Sequence, residues 1–380
     1  MSKWENQKKP VVVIGGGGAG ATFVRTFSQA MDASKYELIM INPLPYRICL
    51  PSTVRMVVTP TDNLAKTALI PYDKIFVNRN GTYKQGKVQS ISVEGYESDN
   101  GGEVVLESGE RVPYHILVLA SGSFWPGPTN FPGTEEAVQK HIAEHQQDVK
   151  NAKNIVLIGG GAVGVEIAAE IKTEFPDKKV TIVHGMANLT NETYTLKFRQ
   201  ALEKRLQKIG VELLLDEMVT AFPPRTGPEV TTRSGKSVPA DLVLVTTGPK
   251  PNTLFIKESL GDSAVSEAGF VKVHPTLQVA SHPNIFAIGD IIEWNEQKQV
   301  LKAYGHASTV SQNILKLGAG QPLKNYQSMN ESLCCTTGRH GGLTFIGYFG
   351  GITLGDWFTR MMKSKDLLVP ESRKAMGLSS

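Results

Sequence analysis

Two glycine-rich segments of this chain have the spacing that cradles a phosphate group. The first follows an apolar run at residues 11–14 and places Gly15, Gly17 and Gly20 in the pattern G-x-G-x-x-G. The first glycine makes a tight turn, the second lets a pyrophosphate approach the backbone, and the third lets a helix pack closely on the strand. The free N–H groups at the start of that helix then face the anion. The residues predicted to form this loop are Gly15, Gly16, Gly17, Gly18, Ala19 and Gly20.

The same pattern recurs after a second apolar run at residues 155–158, with Gly159, Gly161 and Gly164 in the three glycine positions. One such loop alone indicates little, because many glycine-rich segments are only turns. Two loops, each between a predicted strand and a predicted helix, indicate two dinucleotide sites in one chain.

The residues that close the second strand of each unit bear on how ribose is bound. In this fold a carboxylate usually stands there and binds the ribose hydroxyls. Residues 36–42 end instead at Asn42, whose uncharged amide would make a weaker contact. Residues 179–183 are followed by His184. A carboxylate there would repel a 2′-phosphate, so its absence leaves both NADH and NADPH permissible.

Three more predicted strands end in small or acidic residues at positions suited to a cofactor. The first of these strands is followed by Ser121 and Gly122, the second by Gly248, and the third by Gly289 and Asp290. The Asp290 carboxylate could accept hydrogen bonds from a sugar hydroxyl. The alternative is an aspartate that merely caps a helix or a turn.

A helix is predicted at residues 302–317, and Lys302 and His306 stand near its start. The positive end of the helix dipole could stabilise negative charge on a reduced group bound there. His306 could donate a proton or a hydrogen bond to an electron acceptor, or it could be a structural histidine.

The cysteines exclude one kind of redox chemistry. Cys49 has no second cysteine within a few residues, so a redox-active disulfide is ruled out and a packed thiol is expected. Arg55, close by, is either a solvated arginine or a partner for a pyrophosphate or a flavin edge. Cys334 and Cys335 are predicted to be free thiols, because a disulfide between adjacent residues would be strained.

A chain of 380 residues is long for one core, so two or three domains are expected. We predict an α/β fold of two nested Rossmann-type domains, with a β-meander inserted between residues 72 and 119 and a small C-terminal domain. Proline- and glycine-rich segments near 124 and 250 mark the predicted crossings. The predicted outer domain is residues 1–123 with 250–320, the nested domain is 124–249, and residues 321–380 form a C-terminal α+β segment.

Composition limits the classes of function. The net charge of +4 is diffuse, which makes nucleic-acid binding an unlikely main role. The N-terminus has no apolar signal segment, Ser2 excludes N-myristoylation, and no apolar run is long enough to span a bilayer. We therefore expect a cytoplasmic protein that is not secreted, with peripheral contact to mitochondrial or other membranes as an option. No metal site is predicted.

Taken together, these motifs resemble the flavoprotein oxidoreductases that carry two dinucleotide folds. Within them the chain is most similar to the apoptosis-inducing-factor-like branch, the ferroptosis suppressor family with its fungal relatives. The motifs are LPSTVR ending at Arg55, GGGAVGVEIAAEI from Gly159, FAIGD ending at Asp290 and MKSKDL from Met362. The sequence departs from the family at Asn42, at Ser121 in place of threonine, and at Ser2.

The resemblance implies FAD in the outer domain and NADH or NADPH in the nested one. It implies that residues 15–20, Arg55, Val88 and Asp290 line FAD, and that Glu166 lies near the contact between nicotinamide and flavin. The two rings would stack within about 3–3.5 Å, so that a hydride passes to flavin N5 without an obligatory acid or base.

The electrons would then pass directly to a quinone or similar acceptor, as the family's reaction implies. Residues 350–365 interleave apolar and basic side chains, among them Trp357, Phe358, Met361 and Met362. This segment could meet a quinone or a membrane interface, or it could belong to the core or to a homodimer contact. Alternatives for the whole protein are a reductase with a dedicated small substrate, and a redox sensor that binds a partner.

Overall fold

The computed structural model describes residue 4, residues 7–93 and residues 101–379, in a fold built on two parallel sheets. The strands are Lys9–Ile14 (β1), Tyr36–Asn42 (β2), Tyr46–Ile48 (β3), Leu69–Pro71 (β4), Thr82–Gln85 (β5), Val88–Val93 (β6), Gly102–Leu106 (β7), Arg111–Tyr114 (β8), Ile116–Leu119 (β9), Ser123–Phe124 (β10), Asn154–Ile158 (β11), Lys179–Val183 (β12), Val211–Leu214 (β13), Glu229–Thr231 (β14), Ser237–Pro239 (β15), Leu242–Val245 (β16), Lys250–Pro251 (β17), Gln278–Val279 (β18), His282–Ala287 (β19), Ser332–Thr336 (β20), Gly342–Ile346 (β21) and Ile352–Leu354 (β22).

The helices alternate with strands in each of the two parallel units. They are Gly18–Ala30 (α1), Leu50–Met56 (α2), Leu64–Thr67 (α3), Glu135–Asn151 (α4), Ala162–Glu174 (α5), Leu196–Lys208 (α6), Leu254–Leu260 (α7), Val300–Gly318 (α8), Asp356–Thr359 (α9) and Val369–Ala375 (α10). A π-helical turn, Arg360–Ser364, continues α9. None of the described helices is long and apolar enough to cross a bilayer.

The first sheet has the strand order β18-β19-β9-β1-β2-β5. Its strands run parallel except for the short edge strand β18, which is antiparallel to β19. The central strands are buried on both faces, which is why Val11, Val12 and Val13 form a continuous apolar run rather than an alternating one. Helix α8 packs along α1. All the polar strand ends singled out in the first unit therefore meet at one edge of this sheet.

The second sheet has the order β13-β12-β11-β16, and all of its strands are parallel. It repeats the strand, glycine loop and helix of the first unit, which confirms the predicted α/β fold with two Rossmann-like units. Strands β10 and β17 pair antiparallel, so the two chain crossings lie side by side. The exact domain boundaries stay a prediction.

The predicted meander corresponds to the antiparallel strands β6, β7 and β8. The segment between β6 and β7 is partly outside the described residues. The C-terminal unit consists of the antiparallel sheet β20-β21-β22 with α9 and α10. It packs against α5 and α6 of the second unit, which brings distant parts of the sequence together.

A buried histidine on α4 makes the stability of the fold depend on pH. The ring of His145 packs against that of His141 in a tilted arrangement, with 4.2 Å between centroids, and its Nδ1–H donates to the His141 carbonyl oxygen at 2.9 Å. Burial lowers the pKa of His145 to about 4. The native state therefore holds this ring neutral at a pH where an unfolded chain would protonate it.

We expect the free energy of unfolding to fall by up to about 3 kcal/mol as pH drops from about 6.5 towards 4, because the unfolded state takes up the proton. His145→Gln keeps a donor for the carbonyl but cannot titrate, so its stability should vary less over that range. Denaturant unfolding at several pH values measures this. An identical pH dependence in the two proteins would contradict it.

Candidate functional site

The first glycine loop lies pressed against the carboxyl end of β9. Gly15 has φ +105°, and a Cβ built on it would lie 2.3 Å from the Ala120 carbonyl oxygen. A Cβ on Gly20 would lie 1.9 Å from the Gly15 carbonyl oxygen. No larger residue fits at either position, so the backbone of β1 and the start of α1 can approach as closely as the predicted loop requires.

Gly16, between them, is held from two sides. Its N–H donates to Asn42 Oδ1 at 2.9 Å, and its carbonyl oxygen accepts from the Tyr72 hydroxyl at 2.8 Å. The Asn42 amide also donates to the Leu44 carbonyl oxygen. Asn42 thus fastens the phosphate loop to the end of β2, a task that sequence reasoning missed. Its expected contact with ribose stays a prediction.

The space in front of the loop is open where a phosphate would lie. A Cβ on Gly17 would have no neighbour within 4 Å. Gly17 is the N-cap of α1, and no side chain caps the helix there. The N–H groups of the first turn, which includes Gly18 and Ala19, are thus left for an anion.

A buried arginine, Arg47, lies beside the first turn of α1, and the sequence analysis did not identify it. Arg47 on β3 is only 4% exposed, and its Nη2 lies 3.6 Å from the position of a Cβ on Gly18. Within the described part of the chain, the Arg47 side chain makes one hydrogen bond, from Nη2 to the Tyr304 hydroxyl at 3.3 Å, and its Nε has no partner. A buried charge without a counter-charge is costly. A bound pyrophosphate would supply that counter-charge, so these residues fit the phosphates of FAD.

Arg47→Met should therefore weaken FAD binding about ten- to hundredfold, because a charge-assisted hydrogen bond contributes roughly 1.5–3 kcal/mol. Titration of the apoprotein with FAD, followed by flavin fluorescence, measures the dissociation constant. Arg111→Met is the control, since its guanidinium is an exposed partner of Glu103 in the meander. Equal affinities in the two variants would contradict this role.

Arg55, in contrast, is neither solvated nor free to meet a phosphate. Its side chain is fully buried and forms ion pairs with Glu170 at 2.9 Å and with Asp62 at 3.0 Å. It also donates to the Ser364 carbonyl oxygen at 2.9 Å. This corrects the expected solvated arginine or pyrophosphate partner, because the guanidinium is occupied by Asp62, seven residues away, and by the distant Glu170.

The other strand ends of the first sheet do converge on the loop. A Cβ on Gly289, which has φ +78°, would lie 2.9 Å from the Cβ of Ala19, so the turn that carries Asp290 touches α1. Asp290 accepts a hydrogen bond from the Ser123 hydroxyl at 3.1 Å. Burial raises the pKa of Asp290, opposed by that hydrogen bond. Its predicted contact with a sugar hydroxyl is thus geometrically possible.

Three more predicted residues lie around the same edge. Ser121 donates to the Asn252 carbonyl oxygen at 2.7 Å, and the Gly122 carbonyl oxygen accepts from the Asn252 N–H, so both hold the chain crossing together. Val88 begins β6 just after Gly86, whose N–H donates to the Asn42 carbonyl oxygen. Their roles towards a cofactor stay predictions.

Helix α8 begins beside the first loop, but the two side chains expected to act there are engaged elsewhere. His306 is fully buried. Its Nδ1 accepts from the Gly289 N–H at 3.1 Å, and its Nε2 donates to Glu296 at 2.8 Å. Both ring nitrogens are engaged, which favours the structural histidine over the proton donor among the two predicted alternatives. Lys302 is buried in an ion pair with Glu331, so its charge is already neutralised. Stabilisation of a bound group by the start of this helix stays a prediction.

The second glycine loop repeats the geometry of the first. A Cβ on Gly159 would lie 2.6 Å from the Thr246 carbonyl oxygen, and one on Gly164 would lie 2.1 Å from the Gly159 carbonyl oxygen. Gly161, the N-cap of α5, has empty space in front of it, as does Gly248 after β16. A second phosphate cradle is therefore present at the carboxyl edge of the second sheet.

His184 fastens the second glycine loop to the end of β12, as Asn42 fastens the first loop to the end of β2. Its Nδ1 accepts from the Gly160 N–H at 3.1 Å, and its Nε2 faces the Thr190 carbonyl oxygen at 3.3 Å. Burial lowers the pKa of His184, so the ring is neutral at pH 7. It offers neither a negative charge to repel a 2′-phosphate nor a positive one to attract it.

Glu166, one turn into α5, meets a lysine from the C-terminal unit. Its Oε1 accepts from Lys363 Nζ at 2.6 Å and from the N–H and hydroxyl of Thr336 at 2.8 and 3.1 Å. Burial alone would lower the pKa of Lys363, but Glu166 outweighs it and the pKa is raised. Sequence reasoning did not pair these residues. The only signal was the MKSKDL motif, which contains Lys363.

The cysteines match their prediction. Cys49, Cys334 and Cys335 are all free. Cys49 Sγ lies against the Ser372 hydroxyl, and burial raises the pKa of Cys335 well above its usual value. No thiol relay is available within the described part of the chain.

Comparison with known proteins agrees with this site. Residues 9–308 match the family described as pyridine nucleotide-disulphide oxidoreductase. FAD-dependent oxidoreductase FVFD30 of Flammulina velutipes is 43% identical over 325 residues, covering 85% of this chain and all of that one. Ferroptosis suppressor protein 1 of Homo sapiens is 31% identical over 373 residues, covering 96% and 95% of the two chains.

Solved structures share the fold. The sulfide:quinone oxidoreductase of Aquifex aeolicus superimposes with a TM-score of 0.77 at 18% identity, over 97% of this chain and 92% of that one. The ferredoxin reductase of the CYP199A2 system from Rhodopseudomonas palustris gives 0.69 at 20% identity, over 89% and 82%. The resemblance and both cofactors inferred from the sequence are thereby confirmed. The chain belongs to the pyridine nucleotide-disulphide oxidoreductase family, as an FAD- and NAD(P)H-dependent oxidoreductase related to FAD-dependent oxidoreductase FVFD30 and ferroptosis suppressor protein 1.

Proposed function

We propose that the protein is an NAD(P)H:quinone oxidoreductase that passes electrons directly to its acceptor. The observation that carries this proposal is the buried Glu166–Lys363 pair, through which a C-terminal unit with an apolar outer surface reaches the helix of the second glycine loop. No disulfide stands between the two cofactor sites and the exterior. Electrons that enter the site therefore do not leave through thiols, and the acceptor that we propose is a small molecule.

The chain's own residues bind the two nucleotides and orient them. The first loop and Arg47 hold the phosphates of FAD, and the second loop holds those of NAD(P)H. When bound, FAD would supply two-electron redox chemistry between NAD(P)H and a second substrate. Lys363 keeps a positive charge in the interior, and Glu166 with Thr336 fixes where that charge lies.

The outer surface of the C-terminal unit is the reason for proposing a quinone as the electron acceptor. Six large apolar side chains are exposed there, two of them strongly, with Phe349 at 98% and Trp357 at 76%. We name this set the C-terminal apolar surface: Tyr348, Phe349, Ile352, Trp357, Met361 and Met362. Arg360 and Lys365 are exposed beside it. Apolar side chains with flanking cations suit an anionic lipid surface, where quinones dissolve.

This surface should bind vesicles of anionic phospholipid. Replacing Trp357 and Met361 together with glutamine should weaken partitioning at least about tenfold, since burying each such side chain contributes roughly 1.5–3 kcal/mol. Vesicle co-sedimentation measures it. Phe222→Gln with Leu317→Gln removes exposed apolar side chains elsewhere and serves as control. Equal loss in both double variants would contradict a specific surface.

Turnover decides between this proposal and its alternatives. The holoprotein with NADH or NADPH should oxidise the nucleotide rapidly when a short-chain ubiquinone analogue is added, and slowly in air alone. No acceleration by quinones would contradict the proposal and favour a dedicated small-molecule substrate. Negligible turnover with every acceptor, together with salt-dependent retention on DNA, would favour a redox sensor.

A further inference from the structure

We propose that Arg55 is a positioning residue for the Glu166–Lys363 pair, a role that rests on the proposed function because it matters only if that pair borders the redox site. Arg55 lies on α2, in the unit of the first glycine loop. It touches neither member of the pair. It instead contacts Glu170, one helical turn after Glu166 on α5, and Ser364, the residue after Lys363 in the C-terminal unit.

The first contact fixes the helix that carries Glu166. Arg55 Nε donates to Glu170 Oε2 at 2.9 Å, and Nη2 donates to Glu170 Oε1 at 3.0 Å. Glu170 follows Glu166 by four residues on α5, so both side chains lie on the same helical face. Such a two-point contact uses both carboxylate oxygens as acceptors. Burial raises the pKa of Glu170, and the contact with Arg55 opposes that shift. The two-point contact restrains the rotation of α5 about its axis.

The second contact fixes the segment that carries Lys363. Nη2 of Arg55 also donates to the carbonyl oxygen of Ser364, the next residue along the chain, at 2.9 Å. Ser364 ends a π-helical turn, where the regular helical hydrogen bonds are interrupted. The buried guanidinium therefore supplies a fixed point for a piece of backbone that its own helix leaves less well held.

The third contact links Arg55, through Asp62, to the turn between β20 and β21. Nη1 of Arg55 donates to Asp62 at 3.0 Å, and Asp62 also accepts from Arg339 in the turn between β20 and β21. Four of the five N–H groups of Arg55 are thus used. Burial opposes the charge of Arg55, but Glu170 and Asp62 outweigh it and its pKa is raised. The arginine stays charged, with carboxylate partners for its charge.

This arrangement accounts for a fully buried arginine without a cofactor contact. An error of about 1 Å in the placement of a catalytic group can cost on the order of a hundredfold in rate. The groups that face Lys363 are Glu166 on α5 and the thiols of Cys334 and Cys335 on β20. If Arg55 releases α5 and the π-helical turn, Lys363 loses contact with Glu166 while it stays buried, so its pKa should fall.

Two variants test the role in the holoprotein. Arg55→Lys keeps the charge but cannot make the two-point contact. Arg55→Met with Glu170→Met removes both buried charges together, so it remains informative if the single variant folds poorly. Arg205→Lys is the matched control, because Arg205 also joins two parts of the fold, through Asp356, but lies partly exposed and away from Glu170 and Ser364.

Four readouts are measured without any quinone, so a wrong acceptor assignment cannot affect them. We expect an unchanged FAD content, a fall of tenfold or more in the rate of flavin bleaching by NADH at saturation, and little change in the NADH concentration for half-maximal rate. The alkaline limb of the pH profile, followed also in the visible spectrum of the oxidised holoprotein, should move to lower pH. Loss of FAD in both variants would make Arg55 a cofactor ligand and overturn the proposal. A wild-type rate and pH profile in both would also overturn it.

Discussion

Gly161→Leu should weaken NAD(P)H binding about ten- to hundredfold and leave FAD bound. Gly161 has φ −71° and ψ 178°, which any residue adopts, and a Cβ there meets no protein atom within 4 Å. The apoprotein therefore tolerates the side chain, which instead fills the space in front of α5 where the pyrophosphate must approach. A steric conflict of roughly 1–3 kcal/mol would weaken binding about ten- to hundredfold. Anaerobic bleaching of the flavin as a function of NADH concentration measures this loss.

The matched control for this variant is built into the fold. Gly17 has the same empty surroundings at the N-cap of α1, so Gly17→Leu should fold but lose FAD. If Gly161→Leu loses its flavin and Gly17→Leu keeps it, the two loops have been assigned to the wrong nucleotides. Gly164 and Gly20 are unsuitable for this comparison, because any Cβ there collides with backbone.

Lys363→Met should reduce both stability and activity strongly. It leaves the buried Glu166 carboxylate with only the two Thr336 donors and no counter-charge. Removing one partner of a buried ion pair costs roughly 3–5 kcal/mol. We expect a loss of that size in the free energy of unfolding of the holoprotein, measured by chemical denaturation, together with slower flavin reduction by NADH.

The double variant Glu166→Gln with Lys363→Met separates the two effects. Because it leaves no unpaired charge, it should recover part of the stability lost in Lys363→Met, while flavin reduction stays slow. A double-mutant cycle gives the coupling energy of the pair. Additive losses of stability would mean that Glu166 and Lys363 do not interact as the geometry indicates.

The sequence was sufficient for the parts of the fold that depend on neighbouring residues. Each glycine loop is a strand, a turn and a helix within about ten residues, and the close approaches at Gly15 and Gly159 follow from that local pattern. The helix at 302–317 and the meander were also predicted, because their periodicity is local. Helix α8 begins at Val300, two residues earlier than predicted.

The site residues that escaped prediction depend on contacts far apart in the chain. Lys363 meets Glu166 across 197 positions, and Arg55 meets Ser364 across 309. Arg47 lies in a three-residue strand, whose inward-facing side cannot be read from so short a pattern. The two alternatives for His306 stayed open because its partner Glu296 lies in a loop, where no periodicity signals the contact. Local reading therefore found the phosphate cradles but not the ionic contacts between the units.

The central claim is that one chain holds FAD at the first loop and NAD(P)H at the second. The most direct measurement is an anaerobic titration of the purified protein with NADH or NADPH, followed in the visible spectrum of the bound flavin. We predict one FAD per chain, bleached completely by one equivalent of reduced nucleotide. A protein that neither retains nor rebinds FAD, or whose bound FAD is not reduced by either nucleotide, would contradict the account.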